Sequence, residues 1–215
     1  MGTLQSVIEA IQRDDATFGL SGNASERDGD DASSFWITPS GVPWPEIGPQ
    51  QLVRLAVTDG SQLEGALRPS TEWRLHRTLY ERHPWIGGVV HLHSLYATIL
   101  SVAQIPVRAV HYQMARVAEE VPIVPYVTFG TEKLASQVAA AISQEQQAVL
   151  LANHGLVAVG LSTADAYRAC REVEWTAMIQ YHAMQVGTLN VLTHAELEAV
   201  RQAFKDYGQP SSHSD

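Results

Sequence analysis

Residues 87 to 93, Gly-Gly-Val-Val-His-Leu-His, limit the fold more than any other stretch of this 215-residue chain. The run is short, β-branched and apolar up to its two histidines, and it lies between a helix stop at Pro84 and a helix start at Ser94. It therefore reads as a strand buried within a sheet. Ala148-Val-Leu-Leu-Ala-Asn-His-Gly-Leu-Val-Ala-Val reads as a second such strand, a turn at 153 to 155 and a third strand. The other elements mix helices and strands without regular alternation. The expected class is α/β with α+β character: one domain over 1–215, its core at about 19–187, with a central mixed or antiparallel sheet and helices on both faces.

The remaining elements follow from periodicity and punctuation. Leu4, Val7, Ile8 and Ile11 mark an amphipathic helix over 2–13, and Asp14-Asp15 and Gly19 break it. Residues 19 to 34 are turn formers and polar residues leading to a strand at Phe35-Trp36-Ile37, which suggests a hairpin. Three prolines at 39, 43 and 45 then exclude regular structure until a strand at 52–57. A helix begins near Ser70, with Glu72 in its first turn, and Pro84 stops it. Helices are also expected at 94–103, at 131–143, from Ser162 or Thr163 to Gly187, and after the capping box Thr193-His-Ala-Glu196. Val107–Tyr112 and Ile123–Tyr126 are expected strands, and 208–215 a frayed tail.

Charge and cysteine content narrow the partners. Lys and Arg total 14 against 23 Asp and Glu, a formal net charge of −9, and no long basic run offsets it, so nucleic acid is not expected. Charged residues make up 17% of the chain against 45% hydrophobic, lean for a surface that must stay soluble alone, which points to buried subunit contacts. The lone Cys170 cannot form an intrachain disulfide. Glu9, Asp14 and Asp15 interrupt the place a secretory apolar segment would occupy, and no apolar stretch approaches the ~18 residues of a membrane span. A cytoplasmic protein without membrane attachment is expected. Met1-Gly2 with Ser6, and Asn23-Ala24-Ser25, fit lipidation and glycosylation patterns, but lack polybasic or signal support and read as chance.

His91 and His93 are two apart on a strand, so both rings point to one face and can reach one metal ion. A bare His-x-His also occurs as two rings lining a sheet surface. Here a third histidine, His154, ends another apolar strand just before Gly155, and three neutral imidazoles would leave zinc an open, catalytic position. Such ligands also accept Co²⁺, Mn²⁺ or Fe²⁺. Glu72, taken alone, is a helix cap. Its segment, Pro69-Ser70-Thr71-Glu72, offers hydroxyls and free N–H groups suited to phosphate, as do Gly22-Asn23-Ala24-Ser25 and Thr38-Pro39-Ser40-Gly41. Three such loops converging would make a phosphate cup, although each alone is ordinary turn chemistry. Tyr112 follows a strand and could place a phenol in a site or satisfy a local acceptor. His76, His83, His182, His194 and His213 receive no role, and Trp73, Trp85 and Trp175 read as core or interface.

Together these residues resemble the class II aldolase and adducin family, nearest its L-fuculose-phosphate aldolase branch, over roughly Gly19 to Gly187. Seven ordered blocks carry the resemblance: Gly-Asn-x-Ser at 22–25, Ile-Thr-Pro-Ser-Gly-Val-Pro at 37–43, Arg-Pro-Ser-Thr-Glu-Trp-Arg-Leu-His at 68–76, Val-Val-His-Leu-His-Ser at 89–94, Val-His-Tyr at 110–112, Pro-Tyr-Val-Thr-Phe-Gly-Thr at 125–131 and Leu-Leu-Ala-Asn-His-Gly at 150–155. The resemblance implies one zinc per subunit on His91, His93 and His154, with Glu72 as the acid/base residue that also ligates zinc in the absence of substrate. It implies a homotetramer with sites at subunit interfaces, Tyr112 reaching the neighbouring site as proton donor, and substrate phosphate held by Asn23, Ser40, Gly41, Ser70 and Thr71. The implied reaction is reversible retro-aldol cleavage of a ketose 1-phosphate, resembling L-fuculose 1-phosphate, to dihydroxyacetone phosphate and an aldehyde.

The chain departs from the branch at Leu20, where a phosphate-binding threonine is usual, at Met114–Glu120, where a small glycine-containing segment is usual, and in a longer 26–34 loop. The same family also carries out pentulose-phosphate 4-epimerisation, methylthioribulose-phosphate dehydration and oxo-acid-phosphate decarboxylation. A metal-free scaffold like the adducin head domains is the alternative of another class, and the intact histidine set argues against it.

Overall fold

The structure is a computed structural model that describes residues 2–14 and 21–205, so Gly19, Leu20 and the 208–215 tail lie outside the described residues. The strands are β1 (Gly22–Arg27), β2 (Ser34–Ile37), β3 (Val53–Ala56), β4 (Gln62–Glu64), β5 (Gly88–Leu92), β6 (Val107–Arg108), β7 (Glu120–Val121), β8 (Ile123–Val124), β9 (Ala148–Leu151) and β10 (Gly155–Gly160). Eight of them form one sheet in the order β4-β3-β2-β1-β5-β10-β9-β8, while β6 and β7 pair separately. All neighbours in the large sheet run antiparallel except β8 and β9. The buried run of 87 to 93 thus supplies one of the two central strands, β5, whose five residues are all buried.

Alternation along β5 divides the core. Val90 and Leu92 face a layer made by α1 (Gly2–Arg13), α3 (Leu95–Val102), α5 (Thr163–Val186) and α6 (His194–Lys205). Val89 faces the opposite layer, α2 (Trp73–Arg82) and α4 (Glu132–Ala141). His91, two residues on, therefore points to the α2 side, as do Asn23 and Ser25, which pair in register with His91 and Val89. On the other face the expected stripe of α1 is buried, with Leu4, Val7, Ile8 and Ile11 each at most 3% exposed. Each such side chain contributes about 1.5–3 kcal/mol relative to exposure.

Several boundaries differ from expectation for identifiable reasons. The helix expected from Ser70 begins at Trp73, because Trp73 N–H bonds back to the Ser70 carbonyl in a turn and Glu72 has non-helical angles (φ −98°, ψ 14°). The strand expected over 107–112 ends at Arg108, and Tyr112–Arg116 forms a 3-10 turn instead. The strand expected over 123–126 ends at Val124, since Pro125 has no N–H to donate. The strand β4 is an addition. Short 3-10 turns occupy Trp44–Glu46 and Pro49–Gln51 in the proline-rich stretch.

Caps behave as expected at α4, where Thr131 accepts from Leu134 N–H, and at α5, where Ser162 accepts from Asp165 N–H. Thr193 and Glu196 complete their capping box. At α3 the cap comes from another helix: both carboxylate oxygens of Glu174 accept, from Tyr96 N–H and Ala97 N–H, each at 2.9 Å. The charges of the 114–120 segment are engaged within the chain. Arg116 lies 3.7 Å over the Phe204 ring, and Glu119 accepts from His194.

Candidate metal centre

The hairpin-like turn between β9 and β10 and the end of β5 bring three histidines together. His91 is fully buried on β5, His93 stands just past the strand end, and His154 closes a turn in which Asn153 takes a left-handed angle (φ 55°). The three ring centroids are 4.8 to 5.0 Å apart, and every pair of planes meets at 68° to 78°. One nitrogen from each ring lies within 4.8 Å of the others. The arrangement is a propeller of edge-on imidazoles around a common point.

The protonation pattern follows from the hydrogen bonds. His91 Nδ1–H donates to the Leu156 carbonyl at 2.9 Å, so Nε2, 3.1 Å from His93 Nε2, is free to ligate when the ring is neutral and donates to Glu72 when the ring is protonated. Two facing nitrogens at that distance need a proton or a cation between them. Burial, reinforced by the positive charge His91 can carry, lowers His93 and His154 to about 4, so both are neutral at pH 7. For His91 burial also acts downward, but the Glu72 charge, its hydrogen bond and the Leu156 carbonyl outweigh it.

Glu72 completes the centre. Its carboxylate makes no cap bond to α2, despite its position at the helix start. Instead Oε2 accepts from Asn23 Nδ2 at 2.9 Å and lies 3.2 Å from His91 Nε2, while Oε1 lies 3.6 Å from His154 Nε2. Burial opposes the charge on Glu72, yet His91, His154 and Asn23 together hold its pKa well below the usual carboxylate range. Oε1 is buried and has no hydrogen-bond partner. An unsatisfied carboxylate oxygen beside three nitrogen donors is a set that fits a divalent cation.

Of the three segments expected as phosphate loops, Gly22–Ser25 is instead part of strand β1, because it pairs with its neighbours in the sheet, and it forms one rim with the 38–41 and 69–72 segments beside this centre. Thr38 bridges two of them, since Thr38 N–H donates to Ala24 O and Thr38 O accepts from Ser70 N–H. Ser40 N–H donates to Arg68 O, and Pro39 and Pro69 form an isolated bridge. Gly41 sits at φ 71°, Ser70 is buried and Thr71 is exposed. Asn23 differs from the rest, because His76 and Glu72 occupy both polar atoms of its side chain. Tyr112 is 49% exposed, and among the described residues its ring contacts are with His111 and Phe204.

The residue that sequence reasoning passed over is His76, fully buried between Asn23 and Ser25. The sequence carries only half of the signal: Glu72, His76 and Tyr80 recur every four residues, one stripe of a helix, but the strand they face is not named by it.

Comparison with known proteins agrees with this geometry. The family described as Class II Aldolase and Adducin N-terminal domain matches residues 3–181. The chain is 34% identical over 191 residues to a 5-methylthioribulose-1-phosphate/5-deoxyribulose-1-phosphate aldolase of Rhodospirillum rubrum, covering 88% of this chain and 84% of the relative. It is 34% identical over 192 residues to an L-fuculose phosphate aldolase of Escherichia coli O157:H7, covering 88% and 86%. A solved L-fuculose 1-phosphate aldolase superposes with a TM-score of 0.87 over 94% of each chain at 34% identity. With its sheet order, its histidine propeller and these likenesses in accord, the chain belongs to the class II aldolase and adducin family.

Proposed function

We propose that this chain is a metal-dependent aldolase that cleaves a ketose 1-phosphate to dihydroxyacetone phosphate and an aldehyde. The observation that carries the reading is the buried Glu72 carboxylate, one oxygen unpartnered, set against His91, His93 and His154. Those three histidines would hold the metal, with Glu72 as a further ligand when no substrate is present. Zinc suits the donor set, and Co²⁺, Mn²⁺ or Fe²⁺ are accepted by the same ligands. When bound, the cation supplies Lewis acidity, stabilising negative charge that develops on substrate oxygens as the carbon–carbon bond breaks.

The chain's own residues do the remainder. Glu72 moves the proton on the dihydroxyacetone phosphate half, its carboxylate within reach of a substrate seated among the histidines. Ser40, Gly41, Ser70 and Thr71 receive the phosphate on the rim, and Asn23, held by His76 and Glu72, is the fifth residue of that set. Tyr112, half-exposed on its own chain, serves the aldehyde oxygen of a neighbouring subunit in a homotetramer. Among the described residues no helix is long and apolar enough to cross a membrane, consistent with a cytoplasmic enzyme acting on a small phosphorylated sugar.

The test is release of dihydroxyacetone phosphate from fuculose, rhamnulose, deoxyribulose and methylthioribulose 1-phosphates, with and without chelator. Chelator-sensitive release from at least one is expected, and the ranking names the substrate. No release by metal-replete protein overturns the aldolase reading.

A further inference from the structure

We infer that His76 is a positioning residue for Glu72, acting through a one-directional chain of buried hydrogen bonds that runs Tyr80, Ser25, His76, Asn23, Glu72. The inference rests on the proposed role of Glu72 for its kinetic consequence, but its geometry stands independently.

The chain exists because two periodicities match. Glu72, His76 and Tyr80 recur every four residues at the start of α2 and along it, and four residues of helix rise about 6 Å. Asn23 and Ser25 are two apart on β1, and two residues of strand rise about 6.7 Å. The helix stripe and the strand stripe therefore stay in step where α2 crosses β1, and polar atoms meet at each level. Tyr80 OH lies 2.8 Å from Ser25 Oγ, which lies 2.6 Å from His76 Nδ1. His76 Nε2 lies 2.5 Å from Asn23 Oδ1, and Asn23 Nδ2 lies 2.9 Å from Glu72 Oε2. Ser25 and His76 are fully buried, Tyr80 is 1% exposed and Asn23 4%, so water has little access to these bonds.

One charge fixes every proton. An ionised carboxylate only accepts, so Asn23 must present its NH₂ to Glu72 and its carbonyl to His76. His76 must then carry its proton on Nε2 to donate to that carbonyl. A neutral ring leaves Nδ1 as acceptor, so the Ser25 hydroxyl donates to it and the Tyr80 hydroxyl donates to Ser25. Each donor faces an acceptor, and all point toward Glu72. The chain holds Oε2 in place, and thereby aims Oε1, which has no hydrogen bond of its own, into the space between the histidines. Without His76 the Asn23 amide loses the donor that anchors its carbonyl, and Glu72 loses its fixed rotamer while remaining in the site.

The experiment uses the full-length, zinc-loaded protein and two variants, His76→Leu and His76→Gln. A glutamine amide can donate to Asn23 and accept from Ser25, whereas leucine does neither. His76→Leu is expected to lower kcat by about 10- to 100-fold, the range for residues that orient a metal site from behind, with KM changed much less. His76→Gln is expected to restore most of kcat. Equal losses in both variants at matched folded content, or wild-type kcat in His76→Leu, would overturn the inference. A second readout needs no turnover: long-range ¹H–¹⁵N spectra of the metal-free protein should show His76 as the neutral Nε2–H form from pH 6 to 8. The Nδ1–H form, or a charged ring, would refute the chain's direction. If the wild type cleaves no ketose phosphate, the assignment of function falls while the tautomer still decides the hydrogen-bond chain.

Discussion

Glu72 is pulled by two sets of partners, the histidines in front and the Asn23 amide behind, and its substitution separates chemistry from metal binding. Glu72→Gln keeps the shape and an acceptor oxygen but removes the transferable proton. Turnover is expected to fall by about 10²- to 10⁴-fold, with zinc content measured by atomic absorption nearly unchanged. Wild-type turnover would remove Glu72 from the mechanism. His76 also leaves a mark on stability. Burial chiefly, then the charge on His91, lowers it from 6.5 to about 3, with Glu72 acting in the opposite sense. Below pH 6.5 the unfolded chain binds a proton at His76 that the folded chain does not, so stability falls as the pH falls, and above 6.5 the residue contributes no slope. In urea unfolding at pH 7.5, 6.5 and 5.5, the stability gap between wild type and His76→Gln should narrow below pH 6.5 by up to about 1.4 kcal/mol per unit. A pH-independent gap would mean that His76 takes up its proton at the same pH in the folded protein as in the unfolded chain. His91 and His93 were legible in the sequence because strand geometry puts residues two apart on one face. His76 was not, because a helical histidine acquires meaning only when the strand opposite it is known.

At the scale of elements, the centre depends on how closely β10 approaches β5. A Cβ at Gly155 would lie 2.6 Å from Leu92 O and 3.0 Å from His93 Cδ2. Gly155→Ala must therefore push apart the segments that carry His93 and His154. Overpacking of this kind costs about 1–3 kcal/mol. Zinc affinity, measured by chelator competition, should weaken at least about tenfold as the ligand geometry loosens. Unchanged affinity would show that the turn carrying His154 adjusts independently of β5. The sequence revealed the strands with apolar runs and the helices with capping residues, since those signals are local. It did not reveal β4, whose Gln62-Leu-Glu is exposed throughout and gains strand form only by pairing with β3 at a sheet edge. Nor did it show that Val107–Tyr112 breaks after two residues, because the long-range pairing of β6 with β7 decides that.

At the scale of the whole molecule, the sheet order was beyond the sequence, since neighbours such as β1 and β5 are joined by pairing across more than sixty residues of chain. The low charge content, in contrast, has a visible counterpart. Trp175 is 50% exposed, Tyr126 63%, Phe129 59% and Leu161 75%, apolar area that a lone subunit leaves in water. A homotetramer would cover such area and bring Tyr112 of one subunit to the Glu72 centre of the next. That arrangement predicts complementation. Glu72→Gln and Tyr112→Phe should each be nearly inactive alone and sediment with a four-chain mass. After the two are mixed and allowed to exchange subunits, a site is intact only when its own chain is the Tyr112→Phe variant and the chain donating the phenol is the Glu72→Gln variant. Random exchange around a closed ring makes about a quarter of the sites intact, so activity should recover toward that fraction of wild type. Mass spectrometry confirms that exchange took place. No recovery in exchanged tetramers would place Tyr112 in its own chain's site or outside the reaction, whereas recovery can arise only if a single site draws residues from two chains.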